Sequence, residues 1–527
     1  MSSLFTAALH PSVGLGFLVL GASLHDILTR LKAEPQRYPK LDLAYSATNP
    51  VGEPVIVTLP ANGIRLRFDG PEQRLRLIEI IDFTKNRITY QDKDIAKPVT
   101  SQGVVGSPRL GGDATAGPAF KNIYHRLFGP TYAGEYIPPA DSGHGNAVGT
   151  YILSYPGVAF SFPLPKSAYS PNKDVVSLLS SSVSQTATSV AIFSGKSWAH
   201  ARETLWDEVL PSVKSALVFN KSKEVVPDEV SLVKIHGGGR LQLFRKWTNT
   251  SVWINLGETT PQDLVAEFGP PDAIYRKNDQ RMYIHKTRNA SHSRSRSNGG
   301  EYRRPDDLID TDQSSAHTTG SDDSEDEAIE DEIVGNVSGE CFYNYFYLGF
   351  DILVSPPQPP SRTPPSQVAA LKGKEAPGTN LFKNATADRL VATKMVLHAN
   401  VPGSYPFNRH RRCRWEIPYL ATGNADDVID SETPFDGIEE RLRKEWKSTY
   451  PSEDDAKRRQ RGMVLNRGWG DSPGSSCEFL GGWEDSSGGV SAKKFDGNED
   501  STTTLYGFPG TVFEVLKNGF VSAVTVY

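Results

Sequence analysis

The chain has 527 residues, long enough for two or three domains, with 57 Lys+Arg against 62 Asp+Glu and a formal net charge of −5. That balance excludes binding of nucleic acid by the chain as a whole and leaves only local basic patches. Hydrophobic residues make up 38% of the sequence and the mean hydropathy is −0.41, values that describe folded modules diluted by polar inserts.

Three cysteines, Cys341, Cys413 and Cys477, stand too far apart for a disulfide framework or a zinc site, so they read as reduced cytosolic thiols. The apolar run Val13–Gly21 is much shorter than the roughly 20 residues of a spanning helix. No Lys or Arg precedes it, as a signal peptide would require, and it reads as a buried strand.

A helix follows over residues 23–32. Ser23 is placed to accept from the amide three residues on, Asp26 puts negative charge in the first turn, and Leu24, Ile27, Leu28 and Leu31 form one stripe. Strands are expected at 41–45, 55–59, 63–68 and 75–81, where Ile64-Arg65-Leu66-Arg67-Phe68 alternates as a half-buried strand does. A second helix over 119–128 ends in Gly129-Pro130. A third begins at Thr260-Pro261, repeats the capping pattern with Asp263 and ends in Gly269-Pro270.

Hairpins built on a glycine turn recur at 57–66, 151–160, 343–354 and 505–515. The aromatic one, Tyr343-Asn344-Tyr345-Phe346-Tyr347-Leu348-Gly349-Phe350, is followed by a return strand only at 393–405. These recurrences predict an α+β fold of several related modules, each one helix packed on a small antiparallel β-meander. The expected divisions are 10–100, 101–215, 230–415, a mostly charged or polar stretch 416–500 with short strands, and a closing C-terminal hairpin 501–527. Residues 288–338, with the acidic run Asp322–Glu327, and the Pro-rich residues 355–390 read as disordered inserts in the third module, and a charged insert at 421–461, beyond that module, has as little apolar surface.

Catalytic patterns are weak. His236-Gly237-Gly238-Gly239 and Gly470-Asp471-Ser472-Pro473-Gly474 match hydrolase motifs. Pro473, however, offers no N–H to an oxyanion, and no histidine follows Ser472. Gly14-x-Gly16 lacks the spacing of a dinucleotide loop. His398, His410 and Cys413 do not complete a metal-ligand pattern, so neither cofactor nor metal is expected. Arg409, Arg411, Arg412 and Arg414 suit capture of a phosphate or carboxylate on a partner or lipid, against the plainer reading of a solvated face or a contact with the chain's own acidic tract at 322–332. Ser321 and Ser324, inside the acidic tract, are candidate phosphorylation sites.

The combination of Gly16–Ser23, Asn62–Phe68, Gln73–Glu79, Phe128-Gly129-Pro130-Thr131, Tyr155–Phe162, Asn344-Tyr345-Phe346, Leu397–Gly403 and Val512–Gly519 resembles the phagosome (phagophore) assembly factor one family. The matches run from about residue 10 to the end, and the chain departs from the pattern chiefly at 288–338, 355–390 and 421–500. The resemblance implies a non-enzymatic, cytosolic regulator or adaptor of autophagy. It would work with a WD-repeat propeller partner of the breast carcinoma amplified sequence three type and reach preautophagosomal membranes through that partner's phosphoinositide binding. Golgi or other vesicle traffic is the alternative it implies. Within that frame, Tyr343, Tyr345, Phe346, Tyr347, Arg409, Arg411, Arg412 and Arg414 are expected to border the partner surface, with no nucleic acid involved.

Overall fold

The computed structural model describes residues 4–96, 117–139, 148–180, 186–207, 209–210, 228–248, 250–276, 340–357, 389–421, 428–466 and 502–527. The acidic tract with Ser321 and Ser324, most of the Pro-rich stretch and the 470–474 motif lie outside them.

The chain builds the same unit twice. The first opens with a bent three-stranded meander, β1 (Phe5–His10), β2 (Gly14–Leu15) and β3 (Leu18–Val19), followed by helix α1 (Leu24–Ala33). Four antiparallel strands come next: β4 (Asp42–Ala44), β5 (Val55–Leu59), β6 (Ile64–Phe68) and β7 (Leu75–Ile80). Strand β8 (Asn86–Tyr90) then returns to lie parallel to β1, and β9 (Lys93–Asp94) pairs with it. A short helix α2 (Phe120–Asn122) continues as a wider turn over Ile123–Leu127. The unit closes with β10 (Glu135–Ile137), β11 (Val148–Tyr155), β12 (Val158–Pro165), helix α3 (Val175–Leu179), β13 (Ser189–Phe193) and helix α4 (Trp198–Thr204).

The second unit repeats this order. It runs β14 (Val230–Ile235), β15 (Arg240–Arg245), β16 (Ser251–Asn255), helix α5 (Pro261–Phe268), β17 (Ala273–Arg276), β18 (Cys341–Tyr345), β19 (Phe350–Ser355) and β20 (Val391–His398). Then come β21 (Trp415–Ile417), parallel to β14, β22 (Ile429–Asp430), helices α6 (Phe435–Glu445) and α7 (Glu453–Arg459), and the closing strands β23 (Met463–Asn466), β24 (Thr502–Phe508), β25 (Thr511–Leu516) and β26 (Val521–Val526).

The sheet orders confirm the duplication. Each unit has one five-stranded sheet, β3-β2-β1-β8-β9 or β16-β15-β14-β21-β22. Each also has one eight-stranded sheet, β10-β11-β12-β13-β7-β6-β5-β4 or β23-β24-β25-β26-β20-β19-β18-β17. The recurring pattern is therefore two α+β units rather than several modules. Strands from 10–100 and 101–215 share one sheet because β7 pairs with β13, and the C-terminal hairpin belongs to the second unit because β26 pairs with β20.

Each core lies on the inner faces of its two sheets, closed by helices. In the first, Leu24, Ile27, Leu28 and Leu31 of α1 and Phe120 of α2 meet Phe68, Ile78 and Phe160. In the second, Leu264 and Phe268 of α5 and Phe435, Ile438 and Leu442 of α6 meet Phe350, Met395 and Phe513. Phe435, Ile438 and Leu442 correct the expectation of an unfolded charged insert at 421–461. Spaced i, i+3 and i+7, they bury one stripe of a helix whose other faces are charged, each gaining about 1.5–3 kcal/mol.

The cap predictions hold. Ser23 accepts from the Asp26 amide, and Thr260 forms a reciprocal capping box with Asp263. The apolar run at 13–20 is instead two short strands joined through Gly16 at φ +61. A Cβ on Gly14 would lie 2.1 Å from the Leu18 carbonyl oxygen, so the bend needs glycine there too.

Candidate functional site

Within the described residues the two units differ in the connection between the last strand of the four-strand meander and the strand that returns parallel to the first. In the first unit this is the short turn 81–85; in the second it is the long loop 399–414, which crosses to the first unit. Phe407 inserts its ring into the first unit's core. The Asn400 amide donates to Gln73 Oε1 and Gln73 Nε2 donates to the Asn400 carbonyl, both at 2.8 Å and both buried. Gln73 (φ +52) and Asn400 (φ +48) both hold left-handed backbones, a conformation that costs a non-glycine residue about 1–2 kcal/mol. Their mutual bonds offset that strain at the seam.

Charge closes the junction. Arg411 pairs with Asp26, in the first turn of α1, and its Nη1 lies 3.1 Å from Oε1 of Glu229, the residue before β14. Arg74 lies 2.6 Å from the other oxygen of Glu229. Lys246 and Glu72 extend the alternation across the units. Burial opposes the charge on Glu229, yet Arg74 and Arg411 outweigh it and hold the carboxyl below the usual carboxylate range. Arg412 donates to the Pro71 and Ala399 carbonyls, each at 2.7 Å, and with Arg414 it grips Glu432. Burial raises the Glu432 carboxyl, but the two arginines and Ser431 prevail and bring it to about 2.

Behind these arginines lies a three-residue polar group. Asp351 of β19 accepts from His398 Nε2 at 2.9 Å and from His410 Nε2 at 2.8 Å, and Asn344 of β18 donates to it at 3.0 Å. The two imidazoles stack with centroids 3.7 Å apart and planes 11° from parallel, and Phe346 leans on His410 at 4.9 Å. Burial, then repulsion from His398, pushes the His410 pKa down to about 3 despite the carboxylate, so its ring is neutral at ordinary pH.

Asp351, His398 and His410 are the ligand types of a His–His–carboxylate metal centre. Their orientation opposes that use. A ligating imidazole directs its lone pair in the ring plane at a metal about 2 Å away. Two nearly parallel planes stacked at this distance have lone pairs that do not converge on one ion. The group is a hydrogen-bonded anchor that holds the loop on the sheet.

The residues expected to border a partner surface do come together, because the Arg411 amide donates to the Phe346 carbonyl at 2.8 Å. They meet as an internal junction. Tyr345 is in the core, and Tyr343 is half-buried against it. Tyr347, 43% exposed, sets its ring edge-on to His25 of α1 at 5.7 Å. Arg411 and Arg412 are buried and their guanidinium groups are taken up inside the molecule, which corrects the reading of an open basic face. Arg409 is exposed and Arg414 half-buried. Of the acids that draw the arginines inward, Asp26 and Glu229 lie far away in sequence, and Glu432 lies on a separate turn. Asp351 carried a visible signal, a lone carboxylate inside the apolar strand Phe350–Val354.

A further chemical motif within the described residues is the His236–Gly239 turn. Its three glycines all have positive φ between β14 and β15, and His236 packs on Trp253 at 4.9 Å. A shallow depression of about 520 Å³ beside it is lined by Trp253, Thr259, Asp263 and Glu267, and Asp263 is consumed by the α5 cap.

The sequence pattern of the family described as "Phagosome assembly factor 1" matches residues 14–302 and 379–527. The chain belongs to that family. The match takes in most of both repeats, including Asn400–Arg414 and the closing sheet of the second unit. A phagosome assembly factor 1 protein of Arabidopsis thaliana is 22% identical over 526 residues, 98% of this chain and 92% of the relative. One of Drosophila melanogaster is 21% identical over 540 residues, 98% and 93%. One of Caenorhabditis elegans is 28% identical over 157 residues, 29% of this chain and 31% of the relative. No solved structure matches. Among the described residues, no helix of this phagosome assembly factor 1 family member is long and apolar enough to cross a membrane.

Proposed function

We propose that the chain is a non-catalytic assembly factor in autophagosome formation. It would act as an adaptor that docks on a WD-repeat propeller protein of the breast carcinoma amplified sequence three type. Family membership across both repeats carries this reading, together with near full-length relatives that bear the phagosome assembly factor name. The chemistry of the junction agrees with it. Its carboxylates, imidazoles and guanidinium groups are spent on one another, holding two units as one rigid platform, and do not converge on an open cleft. Membrane association would be indirect, through phosphoinositide binding by the propeller, with the protein otherwise cytoplasmic.

The test is purification of the tagged full chain from its own cells, fed and starved. A stoichiometric WD-repeat propeller protein is expected in the eluate. Its absence in both conditions, with Golgi coat or tethering proteins in its place, would overturn the reading.

A further inference from the structure

The anchor beneath loop 399–414 is built from two ionisable rings, and its geometry has no place for a second proton on one of them. Asp351 accepts from Nε2 of both His398 and His410. Burial opposes its charge, but His398 and His410 outweigh burial and hold the carboxyl well below the usual carboxylate range. An ionised carboxylate only accepts, so each ring carries its hydrogen on Nε2 and a lone pair on Nδ1. The Nδ1 of His410 is buried and meets no partner among the described residues.

A second proton on His410 would sit on that nitrogen as a buried donor without an acceptor. Asp351, on β19, favours the charge. Against it stand His398 of β20, stacked parallel at 3.7 Å, and Arg409 on the loop itself. Arg411, next along the loop, is a further cation, whose charge is met by Asp26 of α1 and by Glu229. Asn344 and Phe346, also packed on this group, are uncharged. The closed loop therefore refuses a proton that a solvated imidazole accepts below about pH 6.5.

The same loop carries much of the seam between the units. Phe407 enters the first core, Asn400 exchanges amide bonds with Gln73, and Arg411 and Arg412 reach Asp26 and the Pro71 carbonyl. Arg74 with Glu229, and Lys246 with Glu72, join the units without it. The loop can thus let go while other contacts persist.

We infer that His410, seated on Asp351 and stacked on His398, is an acid-released latch: on acidification it takes up a proton and frees residues 402–412 from the first unit while both sheets stay folded. The open loop binds one proton more than the closed loop, so its population rises as the pH falls through the range of a free imidazole. Between pH 7.5 and 5.5 the gain is about tenfold. Asp26, Glu229 and Asp351, all held low in the closed form, take up protons on release only at lower pH than this window. The inference is independent of the partner or membrane that the protein serves.

The test is hydrogen exchange of the full chain at pH 7.5 and 5.5, read by mass spectrometry and corrected for the pH dependence of intrinsic exchange. Peptides covering 402–413 report the Asn408, Arg411 and Cys413 amides, which donate to Asn400 Oδ1 and to the Phe346 and His398 carbonyls. Their protection should lie below that of Ile64–Phe68 and Thr511–Leu516 at both pH values and fall about tenfold at pH 5.5. A fall under about twofold overturns the inference. So does loop protection equal to that of the two strands at both pH values, because the loop then opens only when the whole chain unfolds. In His410→Gln, whose amide can still donate to Asp351, the loop's fall should vanish. A fall that survives His410→Gln but disappears in His398→Gln gives the proton to the other ring and overturns the assignment.

Discussion

Arg411→Ala is the sharpest test of the junction, because one guanidinium there serves two units. Its Nη1 is 3.1 Å from Glu229, whose side chain is 4% exposed, and its other arm holds Asp26. At an effective dielectric near 20, a unit pair at that distance interacts by about 5 kcal/mol, most of it offset by desolvation. Removing one partner of a buried pair leaves the other charge unsolvated, and such losses run about 3–5 kcal/mol. Glu229 keeps Arg74 at 2.6 Å, so the low end applies. A loss of about 3 kcal/mol is expected in urea unfolding followed by tryptophan fluorescence.

Glu229→Gln should cost less in the Arg411→Ala background than alone, because only its pairing with Arg74 is then left to lose. The coupling in the double-mutant cycle should exceed about 1 kcal/mol. A loss below about 1 kcal/mol with additive variants would refute the clamp and return Arg411 to the surface. The same burial means that Arg411→Glu or Arg412→Glu would unfold the junction before it could report on a partner.

Two other outcomes follow from the loop. Gly349 holds φ +87, and a Cβ there would stand 2.5 Å from the Arg411 carbonyl oxygen, so Gly349→Ala should cost about 2 kcal/mol or more in the same urea assay. His410 titrates near 6.5 when unfolded but at about 3 when folded, so below pH 6.5 the unfolded chain takes up a proton that the native state refuses. Stability should fall on acidification from pH 6 to 4 by up to about 1.4 kcal/mol per unit, and His410→Gln should remove that slope from urea titrations at each pH.

Local features of the chain were readable because they are local in their physics. A cap needs only Ser23 or Thr260 and the amide three residues on; a hairpin needs Gly63, Gly157, Gly349 or Gly510 at its turn, and all four take positive φ. The four hairpins seen in sequence are two pairs of one repeat. What joins them, β7 to β13 and β20 to β26, is pairing across long stretches of chain, and no window of residues carries it. Helix α6 escaped because Phe435, Ile438 and Leu442 are diluted by charged neighbours, so composition hid a stripe that periodicity would have shown. The arginine cluster misled for a related reason: density of charge was visible, but Asp26, Glu229 and Glu432 come from other elements.

The repeats diverge in what their outer sheet faces hold. On the first sheet the outward positions Arg65, Arg67 and Glu79 are half-exposed and pair among themselves, and α4 covers the rest. On the second, Asp351 stands where Arg65 does, and loop 399–414 folds over it through His398 and His410 to reach the first unit. That spends one end of the second unit's outer face on joining the units. A seam built from buried ion pairs and hydrogen bonds ties the two units to each other, so a change in loop 399–414 reaches both.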